Sequence, residues 1–181
     1  MLSCSSAPPP GREIDMPDIL EGEVAVIGVD PFERRVMLAD TSGGFWTLGG
    51  PRLLGELMNL AGHYVRVHGT LVRQPGSGVQ MQVDRYELLP VDGRLPLVGT
   101  VIIEGGRPVL IVEGTGEWYV LGGPLDHALR NFEGLKLWIL GDEEPEGEAG
   151  GGAADKRLNV VNYGILGPAS DVTSATSRGI P

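Results

Sequence analysis

A phrase of four residues occurs twice in this chain, as Leu48-Gly49-Gly50-Pro51 and as Leu121-Gly122-Gly123-Pro124. It is the centre of a longer self-similarity, and a repeat of this kind restricts the fold to tandem copies of one small unit. Phe45-Trp46-Thr47 before the first phrase matches Trp118-Tyr119-Val120 before the second, at an offset of 73. Upstream, Glu21-Gly22-Glu23-Val24 matches Val98-Gly99-Thr100-Val101 at an offset of 77. Downstream, Leu53, Leu57, Leu60, Gly62 and Gly69 match Leu125, Leu129, Phe132, Gly134 and Gly141 at 72. Val83 to Leu89 then matches Val160 to Leu166 at 77. The offset changes only where loops are expected.

Within each copy the hydrophobic period changes in a fixed order. Glu23 to Val29 alternates as a strand does, and Asp30-Pro31 ends it. Arg35 to Asp40 is a second strand with Val36 and Leu38 on one face, Thr41 to Gly44 a turn, and Phe45 to Leu48 a third strand. After Pro51 the spacing turns helical, with Leu53, Leu57 and Leu60 on one side and Gly62 as the stop. His63 to Val72 alternates again with Val65 and Val67 inward, and a Gln74 to Gly78 loop leads to a last strand, Val79 to Leu89. In the second copy Val101 and Ile103 open the order, Val109 and Ile111 lie on strand two, and Leu137 and Ile139 on strand four.

Three strands, a helix and two more strands is the order of the OB-fold, a five-stranded, partly open barrel. Both halves resemble small secreted bacterial OB-fold modules, and the resemblance implies an all-β chain of two tandem OB-like barrels with one short helix each. The expected organisation is a tether over 1–19, a first module over 20–90, a linker over 91–96, a second module over 97–168 and a tail over 169–181. Abundant glycine (29) and proline (14) agree with many short elements joined by turns. The net charge of −10 lies mostly in the second half: eight acids face six bases from Leu20 to Pro90, and eleven face five from Leu95 to Pro168. Such a chain repels phosphate backbones, which disfavours nucleic acid as a partner.

The single cysteine, Cys4, rules out an internal disulfide and any CxxC site. It sits in Met1-Leu2-Ser3-Cys4-Ser5-Ser6-Ala7-Pro8-Pro9-Pro10, a small residue before the cysteine and a Ser/Pro-rich stretch after it. This resembles the processing site and tether of bacterial lipoproteins, in which a signal peptide is cleaved before a cysteine that then carries acyl chains. The resemblance implies a lipid anchor at Cys4 and a periplasmic, membrane-tethered protein; unprocessed, the chain would be cytoplasmic. Ser5 to Ile19 would span about 50 Å fully extended, and acyl chains would hold it at a membrane without a spanning helix.

The aromatics are the strongest candidates for ligand or partner contact. If Leu48 and Leu121 are core, Trp46 and Tyr119 face inward while Phe45 and Trp118 face out. Trp138 completes the candidate set. The structural alternative is that these rings pack under loops or against the other module. Gly49-Gly50-Pro51 lacks the Lys and Ser/Thr of a phosphate loop and reads as a strand-to-helix corner. His63, His68 and His127 share no metal-ligand spacing, and Asp142-Glu143-Glu144-Pro145-Glu146-Gly147-Glu148 lacks the order of a calcium loop. No nucleophile, base and acid recur together, so neither cofactor nor metal nor catalysis is expected. The expected function is that of a non-enzymatic accessory or scaffold protein of the envelope that binds another protein or complex. The alternatives are a single-stranded nucleic-acid binder and a periplasmic protein binding a small ligand or cation.

Overall fold

The computed structural model describes residues 17–29, 33–74, 78–144 and 156–169. The first copy forms strands β1 (Pro17–Ile27), β2 (Arg35–Asp40) and β3 (Phe45–Gly49), helix α1 (Leu54–Asn59), and strands β4 (Tyr64–Gln74) and β5 (Gly78–Leu88). The second forms β6 (Leu97–Glu104), β7 (Arg107–Val112), β8 (Trp118–Gly122), α2 (Asp126–Leu129), a 3-10 turn (Arg130–Phe132), β9 (Leu135–Glu144) and β10 (Lys156–Pro168). Each set of five strands closes into a barrel, ordered β1-β2-β3-β5-β4 and β6-β7-β8-β10-β9. The β1–β2, β1–β4, β2–β3, β6–β7, β6–β9, β7–β8 and β9–β10 pairings are antiparallel, while β3 with β5 and β8 with β10 run parallel. The all-β architecture of two five-stranded, OB-like barrels is therefore present.

The two rings share their hydrogen-bond register as well as their order. Val24↔Leu38 in the first becomes Val101↔Leu110 in the second, and Leu38↔Trp46 becomes Leu110↔Tyr119. Thr47↔Gln80 becomes Val120↔Arg157, and Leu20↔Val67 becomes Leu97↔Ile139. The sequence offsets of 77, 73, 72 and 77 for strands one, three, four and five thus reproduce the ladder. Strand two, for which local similarity is slight, joins at 72.

The cores follow from this register. In the first barrel Val24, Val36, Leu38, Leu48, Val65, Val67, Met81 and Val83 are buried. In the second, Val101, Leu110, Val112, Tyr119, Leu121, Leu137, Ile139, Leu158 and Val160 form one cluster, joined by Leu129 of α2. On β7 the core residues are Leu110 and Val112, while Val109 and Ile111 point the other way. The run Pro108-Val109-Leu110-Ile111-Val112 is apolar on both faces, so alternation could not choose between them. The first strand also differs from expectation, since it starts at Pro17 and stops at Ile27. Its first half is recruited by pairing with β4, from Pro17↔Thr70 to Glu23↔Tyr64, a long-range contact that local alternation does not report.

Packing divides the described residues into two compact units. One holds the chain to Leu54 with Ala61–Glu87; the other holds Gly55–Leu60 with the chain from Leu88 onward. Inside the second unit Asn59 donates its side-chain amide to the Leu166 carbonyl at 3.0 Å. Leu57 and Leu60, on the helical stripe expected from sequence, are fully buried.

The repeated Leu-Gly-Gly-Pro phrase is the exit from strand three. The second glycine of each copy takes a left-handed backbone, with φ of 114° at Gly50 and 91° at Gly123. Amides of the next residues then turn back onto it: Leu54 N–H bonds the Gly50 carbonyl at 3.3 Å, and Asp126 N–H bonds that of Gly123 at 3.3 Å. The first glycine of the second phrase is under no such constraint, because a Cβ at Gly122 would meet nothing closer than 3.9 Å. We therefore expect Gly123→Ala to cost about 1–3 kcal/mol of stability and Gly122→Ala to be nearly neutral, as read by urea unfolding.

Candidate functional site

Outward residues of a strand alternate with core residues, so the core register also defines the outer surface. On the first barrel Ala25, Met37 and Thr47 form one row across β1, β2 and β3, and Glu23, Ala39 and Phe45 form the next. On the second the equivalent rows are Ile102, Val109 and Val120, then Thr100, Ile111 and Trp118. Glu23 is the one charged side chain among them. Outward strand positions are ordinarily polar; here most are uncharged and half-buried, and Val109 at the centre of the second face is itself buried, at 2 % exposure. Phe45 is 63 % exposed and Trp118 45 % exposed at the same register position. The rung beyond carries Ile27 with Arg35 in the first barrel and Glu104 with Arg107 in the second.

The inward aromatics serve the barrels themselves. Trp46 points inward near the β2–β3 turn, and its indole N–H donates to Asp40 Oδ2 at 3.0 Å. The same carboxylate accepts from the Ser42 amide (2.9 Å), the Ser42 hydroxyl (2.7 Å) and the Gly44 amide (2.8 Å). The Ser42 hydroxyl, the Trp46 indole and the Gly44 amide together hold the Asp40 pKa down from 3.8 to about 2. In the second barrel Tyr119 occupies the place of Trp46, is buried, and donates its hydroxyl to Glu143 Oε1 at 2.9 Å. Burial, and after it that hydrogen bond, raise its pKa above the ordinary tyrosine value. The Lys156 ammonium stands 5.3 Å from the Tyr119 ring centre and pairs with Glu117.

A second outer surface distinguishes the copies. On β9, Lys136, Trp138 and Leu140 are all buried, with Trp138 only 7 % exposed. The Trp138 indole lies against the backbone of Gly164 on β10, where any Cβ would overlap the ring. Lys136 bonds Glu56 Oε2 at 2.8 Å and Glu113 Oε2 at 2.7 Å, and Arg94 bonds Asp142 at 3.2 Å near the far end of the strand. Burial pushes the Lys136 pKa down, but the hydrogen bonds to Glu113 and Glu56 outweigh it and hold the ammonium above its ordinary value. In the first barrel the equivalent positions are Tyr64, which is exposed, and Arg66 and His68, which belong to an open charged network. Arg66 reaches Glu21 at 2.6 Å and Glu87 at 3.4 Å, and His68 reaches Glu87 at 3.2 Å.

Among the sequence candidates, the structure thus presents Phe45 and Trp118 on the surface, encloses Tyr119 and Trp138, and half-buries Trp46. Cys4 and Pro145 to Glu148 of the acidic stretch lie outside the described residues, while Asp142–Glu144 end strand β9. Among the described residues no group of three His, Cys, Asp or Glu side chains is placed to hold a metal ion. No helix among them is long and apolar enough to cross a membrane. Sequence reasoning missed Asp40, although Asp40-Thr41-Ser42-Gly43-Gly44 carries the signature of a carboxylate-capped turn. It also missed Lys136, whose carboxylate partners are distant in sequence.

Fold and surface together describe a duplicated five-stranded β-barrel with one aromatic-bearing face per copy, uncharged across these rows except at Glu23. No protein-family model matches this chain, and no curated protein matches it.

Two expectations follow from the charged groups. Because the Asp40 pKa is depressed in the folded chain, its bonds to the turn persist at pH 4 and above and are lost as the pH falls through about 2. Carboxyl-detected NMR of Asp40 should show that midpoint, with the Ser42 and Gly44 amides shifting alongside. Lys136→Met should cost about 3 kcal/mol in urea unfolding by leaving two carboxylates without their cation. Adding Glu56→Gln should recover part of the loss, since a neutral pair carries no buried charge.

Proposed function

We propose that this chain is a non-enzymatic accessory protein of the bacterial envelope, which binds another protein through the outer faces of its two barrels. The observation that carries the reading is the pair Phe45 and Trp118, two exposed rings at one register position in two copies, each beside a row of uncharged side chains. Burying on the order of 100 Å² of either ring would contribute about 2 kcal/mol. That is the size of effect by which aromatic anchors dominate protein interfaces. The net charge of −10 also favours a protein partner over a phosphate polymer. The Cys4 segment supports a lipid tether, which would place both faces within reach of membrane-associated partners.

Two measurements test this reading. A photo-crosslinking residue placed at Phe45 or at Trp118 in living cells should trap a discrete protein, and the Arg66 surface should trap none. Adducts of nucleic acid, or equal trapping from both surfaces, would overturn the protein-binding reading. Feeding cells an alkyne-bearing fatty acid should label the chain at Cys4 and leave Cys4→Ala unlabelled. An unlabelled, cytosolic wild-type chain would remove the envelope tether.

A further inference from the structure

The uncharged faces end on a positive group in both barrels. Arg35 and Arg107 are the first residues of β2 and β7, equivalent by register and exposed. Neither forms an ion pair among the described residues, whereas Arg66, Arg85, Arg94 and Arg130 all do. Along β2 the outward order is Arg35, Met37, Ala39, with Phe45 opposite Ala39. Along β7 it is Arg107, Val109, Ile111, with Val109 buried beneath half-buried Ile102, Ile111 and Val120, and with Trp118 opposite Ile111. Outward side chains on one strand recur about every 6.6 Å. Each face therefore holds a guanidinium and an aromatic ring about 13 Å apart, with aliphatic side chains between them. The second barrel adds Arg157, which extends the Ile102–Val109–Val120 row onto β10. Two carboxylates limit the field: Glu104 lies opposite Arg107, and Glu23 shares the row of Phe45.

An unpaired guanidinium at the edge of an apolar surface is complementary to a carboxylate, and its fork geometry favours a bidentate bond. The strip between suits aliphatic side chains, and its length suits a short extended segment whose alternate residues face the barrel. We infer that each outer face receives an extended segment of the partner protein in which aliphatic or aromatic residues surround an acidic one. The inference rests on the protein-binding reading above and adds the chemistry of what is bound. A phosphate polymer fits less well: its charges recur at every unit, and an acidic chain with one arginine per strip repels the series while accepting a single carboxylate. Trp118 with Arg107 and Arg157 makes the second barrel the stronger site.

The experiment is a selection from a library of random linear peptides on the immobilised full chain, followed by affinity measurement through the fluorescence anisotropy of dye-labelled peptides. Enriched peptides should carry Asp or Glu between aliphatic residues. The leading peptide should bind about tenfold more weakly or worse to Arg107→Glu and to Trp118→Ala, while Arg107→Lys, which keeps the charge and loses the fork, should fall between the wild type and Arg107→Glu. Arg107 and Trp118 are exposed, and circular dichroism of each variant confirms the fold. Enrichment of basic or uncharged peptides, no enrichment, or affinity indifferent to Arg107→Glu would overturn the inference. If cells still yield protein crosslinks at Trp118 in that case, protein binding stands and only the acidic specificity falls. Nucleic-acid crosslinks would remove both.

Discussion

The first strand of each barrel has two partners to satisfy, and closure of the ring depends on it. β1 bonds β4 along Pro17 to Glu23 and β2 along Gly22 to Ile27, so the strand must bend where its allegiance changes. Gly22 stands at that point, and Gly99 is its counterpart. A Cβ at either would overlap the carbonyl oxygen of Ala39 or of Ile111 on the neighbouring strand. Once the strand is bent, strands two and three follow as a hairpin, and strand five can reach strand three only by running parallel to it. The exposed rings owe their place to this geometry, because the register that buries Leu38 and Leu110 turns Phe45 and Trp118 outward.

The duplication preserved the ladder and let the surfaces diverge. Where the first barrel carries Arg66, His68 and Glu87 in an open network, the second carries Trp138 against Gly164, with Leu140 buried on the same strand. Surface ion pairs of the first kind contribute little to stability, whereas an enclosed indole contributes several times more. Substitution on these strands was therefore free wherever it left the inward positions alone. On the β1–β2–β3 face the opposite holds, since both copies keep an uncharged strip with a ring at one end and an arginine at the other. The exposed ends, Phe45 with Trp118 and Arg35 with Arg107, are alike without any demand from the core, and that gives the face its interest.

Much of the fold could be read before any coordinates, because repeat, alternation and glycine placement are local signals. Alternation gives the bounds of β2 to the residue and turns Val65 and Val67 to the interior they occupy, and helical spacing puts Leu57 and Leu60 on the one stripe that is buried. Expectation and structure part where a long-range contact decides, since Pro17 to Gly22 become strand only through β4. Val109 and Ile111 lie on the second strand as expected, but β7 is apolar on both sides, so only its pairing with β6 sets the inward face. The same holds for the site. Phe45 and Trp118 follow from parity along strand three, but the equivalence of Arg35 with Arg107 needs the register of strand two. The enclosure of Lys136 and Trp138 needs contacts that no spacing rule encodes.

Identical registers also carry a kinetic hazard. During folding, the hydrogen-bond pattern that β3 offers to β5 is the same one that β8 offers to β10, so backbone pairing alone cannot tell the correct closing strand from its copy. Tandem repeats of this kind are prone to assemble with elements exchanged between copies. Discrimination falls to side-chain volume: the first core is closed by Met81 and Val83, the second by Leu158 and Val160, and Trp46 differs in bulk from Tyr119. The unlike inward aromatics, Trp46 bonded to Asp40 and Tyr119 to Glu143, add a second difference in shape and polarity between the two rings.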